Sequence, residues 1–227
     1  MKTFFLLTPL FSYLIGGIPF GFIIAKSRGI DIREHGSGNI GATNVGRTLG
    51  KKWGILCFIF DFLKGCLPVV LCKIIGAQLV QDSLITLSGY ELMLIASAFA
   101  TVAGHIFTPY LQFKGGKGVA TTAGAIFVLA PYAILCAILG WIITLKISKY
   151  VGLASVIAAI VLPISAVVMN ISAKPALKTA ESTIILLSVL SALSIFRHRG
   201  NIQRILQGTE PKIGQKKEQA NEDSSSE

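Results

Sequence analysis

The residue types of a phosphate-binding site occur together in one stretch, Gly36-Ser-Gly-Asn-Ile-Gly-Ala-Thr-Asn-Val-Gly-Arg47. Its glycines permit tight backbone curvature and let amide N–H groups approach an anion closely. Uncharged hydrogen-bonding side chains come from Ser37, Asn39, Thr43 and Asn44, and Arg47 can form a bidentate pair with a phosphate. The alternative is a turn-rich loop that caps the next helix. The combination of hydroxyls, amides and a guanidinium favours the phosphate site.

A second candidate site is Phe113-Lys-Gly-Gly-Lys-Gly-Val-Ala-Thr-Thr122, in which Gly115, Gly116 and Gly118 surround Lys117. An apolar run typical of a helix follows directly, and glycine N–H groups at a helix N-terminus form an anion nest. The stretch lacks the first glycine of a Walker A loop and the hydroxyl directly after the lysine, so it implies no nucleotide. The alternative is a basic topology marker with flexible glycines.

A third polar stretch is Arg197-His-Arg-Gly-Asn-Ile-Gln-Arg204. His198 and Asn201 are three residues apart, so a helix would place them on one face, and Arg204 extends that face. The alternative is a positively charged anchor at a membrane surface. There is no second histidine at metal-ligand spacing, and we predict neither a metal nor another cofactor.

Charged residues also occur inside an apolar run, at Asp61 and Lys64. Charges inside a membrane are costly and are usually paired or functional. The two interpretations are a structural ion pair and a role in supporting the site. His105, near the end of another apolar run, is expected to orient the second loop rather than to act in catalysis. Four cysteines lie in apolar segments without metal-ligand spacing, which is typical of small buried hydrophobic residues (Cys57, Cys66, Cys72 and Cys136).

The elements that must position these residues are predicted to be membrane-spanning helices. Hydrophobic residues make up 52% of the 227 residues and charged residues 14%, whereas a soluble domain has about a quarter charged. Such hydrophobicity also excludes a disordered chain. The apolar runs are Phe4–Ala25, Trp53–Ile75, Leu92–Phe113, Val119–Leu145, Gly152–Ala173 and Thr183–Phe196. The sequence therefore predicts an all-α integral membrane protein.

The apolar run Val119–Leu145 is long for one helix and contains Pro131. Lysines flank it on both sides, and positive residues mark cytoplasmic ends, so both flanks belong on the same side of the membrane. Two short helices hinged near Ala130-Pro131, or a re-entrant hairpin, satisfy this condition. We predict two helices, and therefore a bundle of about seven transmembrane helices.

The distribution of positive charge predicts the orientation of the bundle. With the N-terminus outside, the inner connections contain 16 of the 21 Lys and Arg residues, as the positive-inside rule requires. The positive residues behind the net charge of +10 thus serve to orient the helices in the membrane, and we expect no nucleic-acid partner. We predict one transmembrane catalytic domain, 1–206, and a polar cytoplasmic tail, 207–227, that is mostly disordered. The cytoplasmic motif loops are 26–52, 114–122, 146–155 and 197–206.

The motifs resemble those of the PlsY family of bacterial glycerol-3-phosphate acyltransferases, which use acyl-phosphate. The matching stretches are Ser37 to Arg47, Gly104-His-Ile-Phe with Phe113 to Thr121, and His198-Arg-Gly-Asn201 through Gly208-Thr-Glu210. The resemblance implies a multi-pass enzyme of the bacterial inner membrane with a cytoplasmic active site. It implies acyl transfer from acyl-phosphate to the sn-1 hydroxyl of glycerol 3-phosphate, which gives lysophosphatidic acid and phosphate in the first acylation of phospholipid synthesis.

The site residues expected from the motifs fall into two groups. The catalytic group is Ser37, Arg47, Lys117, His198 and Asn201, and the substrate-binding group is Asn39, Thr43, Asn44, Gly115, Gly116, Gly118, Thr121 and Ser155. We expect Lys117, the glycines around it and Thr121 to bind the acyl-phosphate headgroup. The sequence departs from the family at Gly152, where a serine is expected, so a hydroxyl role at this position is not carried over; a substitute role for the backbone N–H of Gly152 is left open.

Two proton acceptors remain open for the attacking hydroxyl: the departing phosphate, and His198 as a general base. The expected partners are glycerol 3-phosphate, acyl-phosphate and membrane lipid, and the sequence indicates no protein partner. A transporter for phosphorylated metabolites would need an outer gate and broken repeats, which the sequence lacks. A lipid-binding scaffold would need only surface Lys and Arg clusters, which leaves the ordered Ser, Asn and Thr residues unexplained.

Overall fold

The computed structural model describes residues 2–171 and 179–214, and every regular element among them is a helix. The α-helices are α1 (Lys2–Gly17), α2 (Phe20–Lys26), α3 (Ala42–Leu49), α4 (Lys51–Gln81), α5 (Leu87–Ile106), α6 (Val119–Leu129), α7 (Pro131–Ser148), α8 (Val151–Ile171), α9 (Glu181–Arg197) and α10 (Arg199–Leu206). Short 3-10 turns lie at Ile32–Glu34 and Pro109–Leu111. The prediction of an all-α protein is confirmed.

Within the described ranges, five segments are long and apolar enough to cross a membrane: Leu7–Lys26, Lys51–Gln81, Leu87–Leu111, Pro131–Ser148 and Val151–Ile171. Helices α9 and α10, which meet at a bend of 46°, form a sixth if they are taken together. Helix α6 has eleven residues and is about 16 Å long, roughly half of a hydrocarbon core. The predicted number of about seven spans and the predicted orientation therefore remain predictions.

Proline positions account for two breaks in the apolar runs. Helix α7 begins at Pro131 after the non-helical Ala130, so the predicted break near Ala130-Pro131 is confirmed; proline suits the first position of a helix because that N–H has no intrahelical partner. The run from Phe4 to Ala25 was predicted as the first span; Leu7–Lys26 is long and apolar enough for one, and it consists of two helices, α1 and α2, separated at Ile18-Pro19. Proline cannot donate the backbone hydrogen bond that would continue α1.

The other apolar runs differ from the helices mainly at their ends. Helix α4 extends beyond the predicted end at Ile75 to Gln81, and α9 begins at Glu181 rather than at Thr183. Helix α5 begins five residues before Leu92 and ends at Ile106, well before Phe113, because the chain turns at Pro109. The last two residues of the run predicted to end at Ala173 lie outside the described residues.

Small residues bring the helix backbones into contact. A Cβ atom added at Gly65 of α4 would lie 2.1 Å from the Thr121 carbonyl oxygen of α6, and one added at Gly124 would lie 2.0 Å from the Phe62 carbonyl oxygen. Glycine is required at such close approaches, which are a common mode of helix packing in membranes. Helix α6 is therefore seated directly on α4, which fixes the end of α6 where the second glycine-rich stretch joins it.

Candidate active site

Three polar stretches that are distant in sequence meet in one cleft of about 400 Å³. The cleft is lined by Ser37, Asn39, Lys117, Arg197, Arg199, Gly200, Asn201, Gln203 and Arg204. Four of these side chains are positively charged, and none is a carboxylate. The cleft is therefore suited to anions with several phosphate oxygens.

The first stretch is ordered by Asn44, which is buried. Its Oδ1 atom accepts a hydrogen bond of 2.9 Å from the Ser37 N–H. Its Nδ2 group donates to the carbonyl oxygens of Ile32, His35 and Asn39 at 3.2, 2.9 and 2.9 Å. Because all these contacts are internal, Asn44 shapes the loop that carries Ser37 rather than lining the cleft.

The other predicted residues of the first stretch occupy different positions. Asn39 lines the cleft, and its Oδ1 accepts a 2.9 Å hydrogen bond from the Gly41 N–H. Thr43 is exposed in the first turn of α3 and does not line the cleft. Arg47, further along α3, donates from Nη2 to the Pro211 carbonyl at 3.0 Å, and its partial burial lowers the pKa of its guanidinium. Arg47 is thus held beside the cleft by the segment after α10.

The second stretch folds back onto the end of α5. The Gly115 N–H donates to the Ile106 carbonyl at 3.0 Å and the Gly116 N–H to the His105 carbonyl at 3.2 Å. Arg197 donates from Nη2 to the carbonyl oxygens of both glycines, at 3.3 and 3.0 Å. The two N–H groups that were predicted to bind an anion therefore have internal acceptors, because the loop uses them to hold its own shape.

The donors that remain near this loop belong to Lys117 and to the start of α6. Gly118 precedes α6 with a φ of 81°, a left-handed conformation that favours glycine. The N–H groups in the first turn of α6 have no acceptor within the helix. An anion next to Lys117 would therefore interact with the positive end of α6.

Lys117 is the positively charged centre of the cleft, and its Nζ donates to Asn201 Oδ1. Burial lowers the pKa of its ammonium group to about 8. The nearby Glu210 raises this pKa, whereas the positive charges of Arg204, Arg197 and Arg47 lower it. Lys117 is therefore mostly protonated at neutral pH and loses its charge as the pH rises through about 8.

Asn201 is oriented by a carboxylate that the site prediction did not include. Its Nδ2 donates to Glu210 Oε1 at 2.7 Å, and Arg204 Nε donates to Glu210 Oε2, also at 2.7 Å. Glu210 is buried. Two features of the sequence could have identified Glu210 as a site residue: it belongs to the Gly208-Thr-Glu210 motif, and it is an acidic residue in a basic segment.

The start of the C-terminal tail is packed against the protein. The tail was expected to be mostly disordered from Gln207 onward, but in Gln207–Gly214 the structure buries Glu210 and bonds the Ile213 N–H to the Lys149 carbonyl at 2.9 Å. The first residues of the predicted tail are therefore held in place, because Asn201 and Arg204 donate hydrogen bonds to Glu210. Residues 215–227 lie outside the described part of the chain.

His198 is buried at the bend between α9 and α10. Its Nδ1 atom lies 2.8 Å from the Ser194 carbonyl oxygen. A carbonyl only accepts hydrogen bonds, so Nδ1 carries the proton and Nε2 is the acceptor atom of the neutral ring. His198 and Asn201 were predicted to share one helix face. Asn201 lines the cleft, whereas His198 is buried behind the cleft lining.

Two predicted substrate-binding hydroxyls have other partners. Thr121 is fully buried, with Oγ1 3.2 Å from His105 Nδ1. Ser155 donates to the Val151 carbonyl at 2.9 Å and accepts from Trp141 Nε1 at 3.3 Å. Neither residue lines the cleft, so the structure does not bring their hydroxyls together with Lys117.

Gly152, where the sequence departs from the family pattern, lies against Asn201. A Cβ atom at position 152 would be 2.7 Å from the Asn201 Cβ atom and 3.0 Å from its Nδ2. A serine there would push Asn201 away from its present position. In this chain the space that a serine would occupy is filled by Asn201 itself.

The fold and the cleft define a helical integral membrane protein with a positively charged site between its loops. The model of the glycerol-3-phosphate acyltransferase family matches residues 6–208. A glycerol-3-phosphate acyltransferase of Desulforamulus reducens is 43% identical over 208 residues, which cover 91% of this chain and 94% of the relative. The chain belongs to the glycerol-3-phosphate acyltransferase family, whose members act in phospholipid biosynthesis.

Solved structures of a family member share the fold. The crystal structure of PlsY (YgiH), an integral membrane glycerol 3-phosphate acyltransferase, in its glycerol 3-phosphate form superimposes with a TM-score of 0.77 at 37% identity and covers 92% of this chain and 96% of that one. Its lysophosphatidic acid form gives a TM-score of 0.73 at 37% identity, with 92% and 95% covered. The resemblance seen in the sequence motifs is thus confirmed.

Proposed function

We propose that this acyltransferase moves a fatty acyl group from acyl-phosphate to the sn-1 hydroxyl of glycerol 3-phosphate. The hydroxyl oxygen forms the new ester bond to the acyl carbon, and the bond from that carbon to the bridging phosphate oxygen breaks. The proton of the attacking hydroxyl is transferred to the departing phosphate, either directly or through His198 Nε2. The products are 1-acyl-sn-glycerol 3-phosphate, which is lysophosphatidic acid, and inorganic phosphate.

The observation that carries this proposal is the charge of the cleft. Lys117, Arg197, Arg199 and Arg204 line a cleft of about 400 Å³, and Glu210, which does not line it, pairs with Arg204 Nε at 2.7 Å. Acyl-phosphate and glycerol 3-phosphate together bring roughly four negative charges at neutral pH. The cleft keeps an excess of positive charge that suits these substrates, and two phosphates held together in one cleft would place donor and acceptor side by side.

The acceptor and the product are supported by the family structures. PlsY (YgiH) has been solved in a glycerol 3-phosphate form and in a lysophosphatidic acid form, and both share this fold. In this chain we assign glycerol 3-phosphate to Ser37 and Asn201, which line the cleft, together with Arg47 beside it and His198 behind it. The donor and the sn-1 position rest on the motif resemblance and on the chemistry of the cleft.

We assign the acyl-phosphate headgroup to Lys117 and the first turn of α6, with Gly115 and Gly116 forming the adjoining wall. Lys117 lies between this turn and Asn201, where one ammonium group reaches both phosphates. Asn39, Thr43 and Asn44 shape the loop that presents Ser37. Thr121 and Ser155 contribute to the supporting structure behind the cleft.

Acyl-phosphate suits a site of this composition because it is already activated for transfer. Phosphate is a good leaving group, so the reaction needs orientation and charge stabilisation more than a protein nucleophile. Orientation alone contributes about 7–11 kcal/mol in favourable cases, and fixed positive charges stabilise the developing phosphate charge. The departing phosphate is the proton acceptor in this scheme, and His198 Nε2 is the competing acceptor.

The excess of Lys and Arg in the loops of the cleft supports a cytoplasmic position for the site. Soluble glycerol 3-phosphate would then enter from the cytoplasm, and the acyl chain would lie between helices in the inner membrane. The lipid product would be released directly into the bilayer.

The test uses the full chain in lipid nanodiscs with glycerol 3-phosphate and either palmitoyl-phosphate or palmitoyl-CoA. Phosphate and lysophosphatidic acid are measured together, and rapid quenching preserves the position of the new ester. We expect equal amounts of both products from palmitoyl-phosphate, an sn-1 ester, and no turnover of palmitoyl-CoA. Lys117→Ala should remove activity, while Lys114→Ala, in the same loop but outside the cleft, should retain it. Turnover of palmitoyl-CoA alone would overturn the donor assignment.

A further inference from the structure

Helix α4 contains a buried ion pair that takes no direct part in the proposed chemistry. Lys64 Nζ lies 2.7 Å from Asp61 Oδ1, and the two side chains are 2% and 3% exposed. Both residues belong to the apolar segment Lys51–Gln81. Charges in a membrane span are costly and usually mark a functional requirement, so their contacts indicate what they support.

The pair joins the first span to α5. Lys64 Nζ also donates to the Ile18 carbonyl at 2.6 Å, at the break where that carbonyl precedes Pro19. Asp61 Oδ1 lies 3.8 Å from His105 Nδ1. The ion pair is therefore hydrogen-bonded to the break in the first span, and its carboxylate lies next to the buried histidine at the end of α5.

His105 in turn contacts the glycine loop on two sides. Its Nδ1 lies 3.2 Å from Thr121 Oγ1, in the first turn of α6. A Cβ atom added at Gly116 would lie 2.3 Å from His105 Nε2, and the Gly116 N–H donates to the His105 carbonyl. The ring and the backbone of His105 are thus the surface against which the loop before Lys117 is formed.

On the basis of the proposed function, we infer that Asp61, Lys64 and His105 are positioning residues that hold Lys117 in the cleft. The connection runs from the ion pair to the His105 ring, from the ring to Gly116, and from Gly116 to Lys117. Glycines have no side chains with which to fix a loop, so the loop takes its shape from the groups packed against it. None of the three residues contacts the cleft.

The inference has a kinetic signature that a purely structural role would not produce. Lys117 is partly buried because the loop holds it, and this burial lowers its pKa to about 8. The charged groups that influence it are Glu210, Arg204, Arg197 and Arg47, and none of these would be changed. If the loop loosens, Lys117 gains water and its pKa rises toward the ordinary value for lysine. The alkaline limit of activity should therefore move to higher pH.

The test replaces both members of the ion pair, in Asp61→Leu/Lys64→Met. Replacing a buried pair with apolar residues of similar size is often neutral or stabilising, so a folded protein is expected. The KM of at least one phosphate substrate should rise about tenfold or more, and the alkaline limit should shift upward. The matched control is Ser12→Ala/Ser97→Ala, which removes a buried pair with hydroxyl oxygens 2.8 Å apart between α1 and α5. The control should keep the wild-type constants.

A folded double variant with wild-type KM values and a wild-type alkaline limit would overturn the inference. Folding is checked by size-exclusion chromatography and thermal unfolding in detergent. If the double variant does not fold, His105→Gln is measured instead, because it removes the ring against which Gly116 is packed. The same shifts support the inference, and wild-type constants overturn it. Absence of turnover in the wild-type protein would instead refute the proposed function.

Discussion

Asn201 and Glu210 set the direction of the amide at the centre of the cleft. Because Nδ2 of Asn201 donates to Glu210 Oε1 at 2.7 Å, its Oδ1 is the atom presented to Lys117 Nζ. The carboxylate thus acts on the site through an amide. It also offsets part of the positive charge around Lys117, although it does not line the cleft itself.

Asn201→Asp should lower kcat/KM at least about a hundredfold. The new carboxylate cannot donate to Glu210, and it places a second negative charge in a cleft that must bind phosphates. Gln207→Glu is the matched control, because it adds the same charge at an exposed position just after α10. Steady-state kinetics with palmitoyl-phosphate and glycerol 3-phosphate measure both variants. Similar activity in the two variants would show that the Asn201 amide has no special role.

Arg47→Lys should raise the KM of glycerol 3-phosphate about tenfold or more while the net charge is unchanged. A guanidinium forms two parallel hydrogen bonds to a phosphate, whereas an ammonium group acts as a point charge. Arg28→Lys serves as the comparison, since Arg28 stacks on Trp53 with 4.0 Å to the ring centroid and is assigned to neither phosphate. Full activity in Arg47→Lys would exclude a bidentate phosphate contact.

Gly152→Ala should reduce kcat/KM about tenfold or more, because its Cβ atom would approach the Asn201 Cβ atom to 2.7 Å and displace the amide. Gly140→Ala is a suitable control, since a Cβ atom there would meet Val161 at an ordinary 3.4 Å. Kinetics should be measured together with thermal unfolding in detergent. Equal kinetics in the two variants would contradict the assigned position of Asn201.

The pH dependence of kcat/KM should show an alkaline limb near pH 8. If Lys117 binds phosphate in its protonated form, as we propose, kcat/KM should fall as the pH rises through the pKa of about 8. Lys117→Arg keeps its charge throughout this range, and any activity it retains should lack the limb. A limb at the same pH in Lys117→Arg would assign the titration to another group.

The convergence of the motifs on one cleft was predictable from local signals. Apolar runs and flanking lysines indicate which connections share a side of the membrane, and Ser37, Lys117 and Asn201 do line the same cleft. The break before Pro131 was equally predictable, because proline has a local effect on the backbone. These features depend on residues that are neighbours in sequence.

The features that were not predicted depend on contacts between distant backbone atoms. The N–H groups of Gly115 and Gly116 bond to the end of α5, and the Pro211 carbonyl accepts from Arg47. Backbone carbonyls are the same in every residue, so such contacts leave no pattern of residue types. Asn44 illustrates the same limit: it was predicted to bind substrate, and its internal partners appear only in the folded chain.

The most direct test of the proposed reaction follows the oxygen atom that forms the ester. Glycerol 3-phosphate labelled with oxygen-18 at the sn-1 hydroxyl is incubated with palmitoyl-phosphate and the protein in nanodiscs, and the products are analysed by mass spectrometry. We predict that the label appears in the ester of lysophosphatidic acid and that unlabelled phosphate is released in equimolar amount. Phosphate release without labelled lysophosphatidic acid would contradict acyl transfer from acyl-phosphate to this hydroxyl.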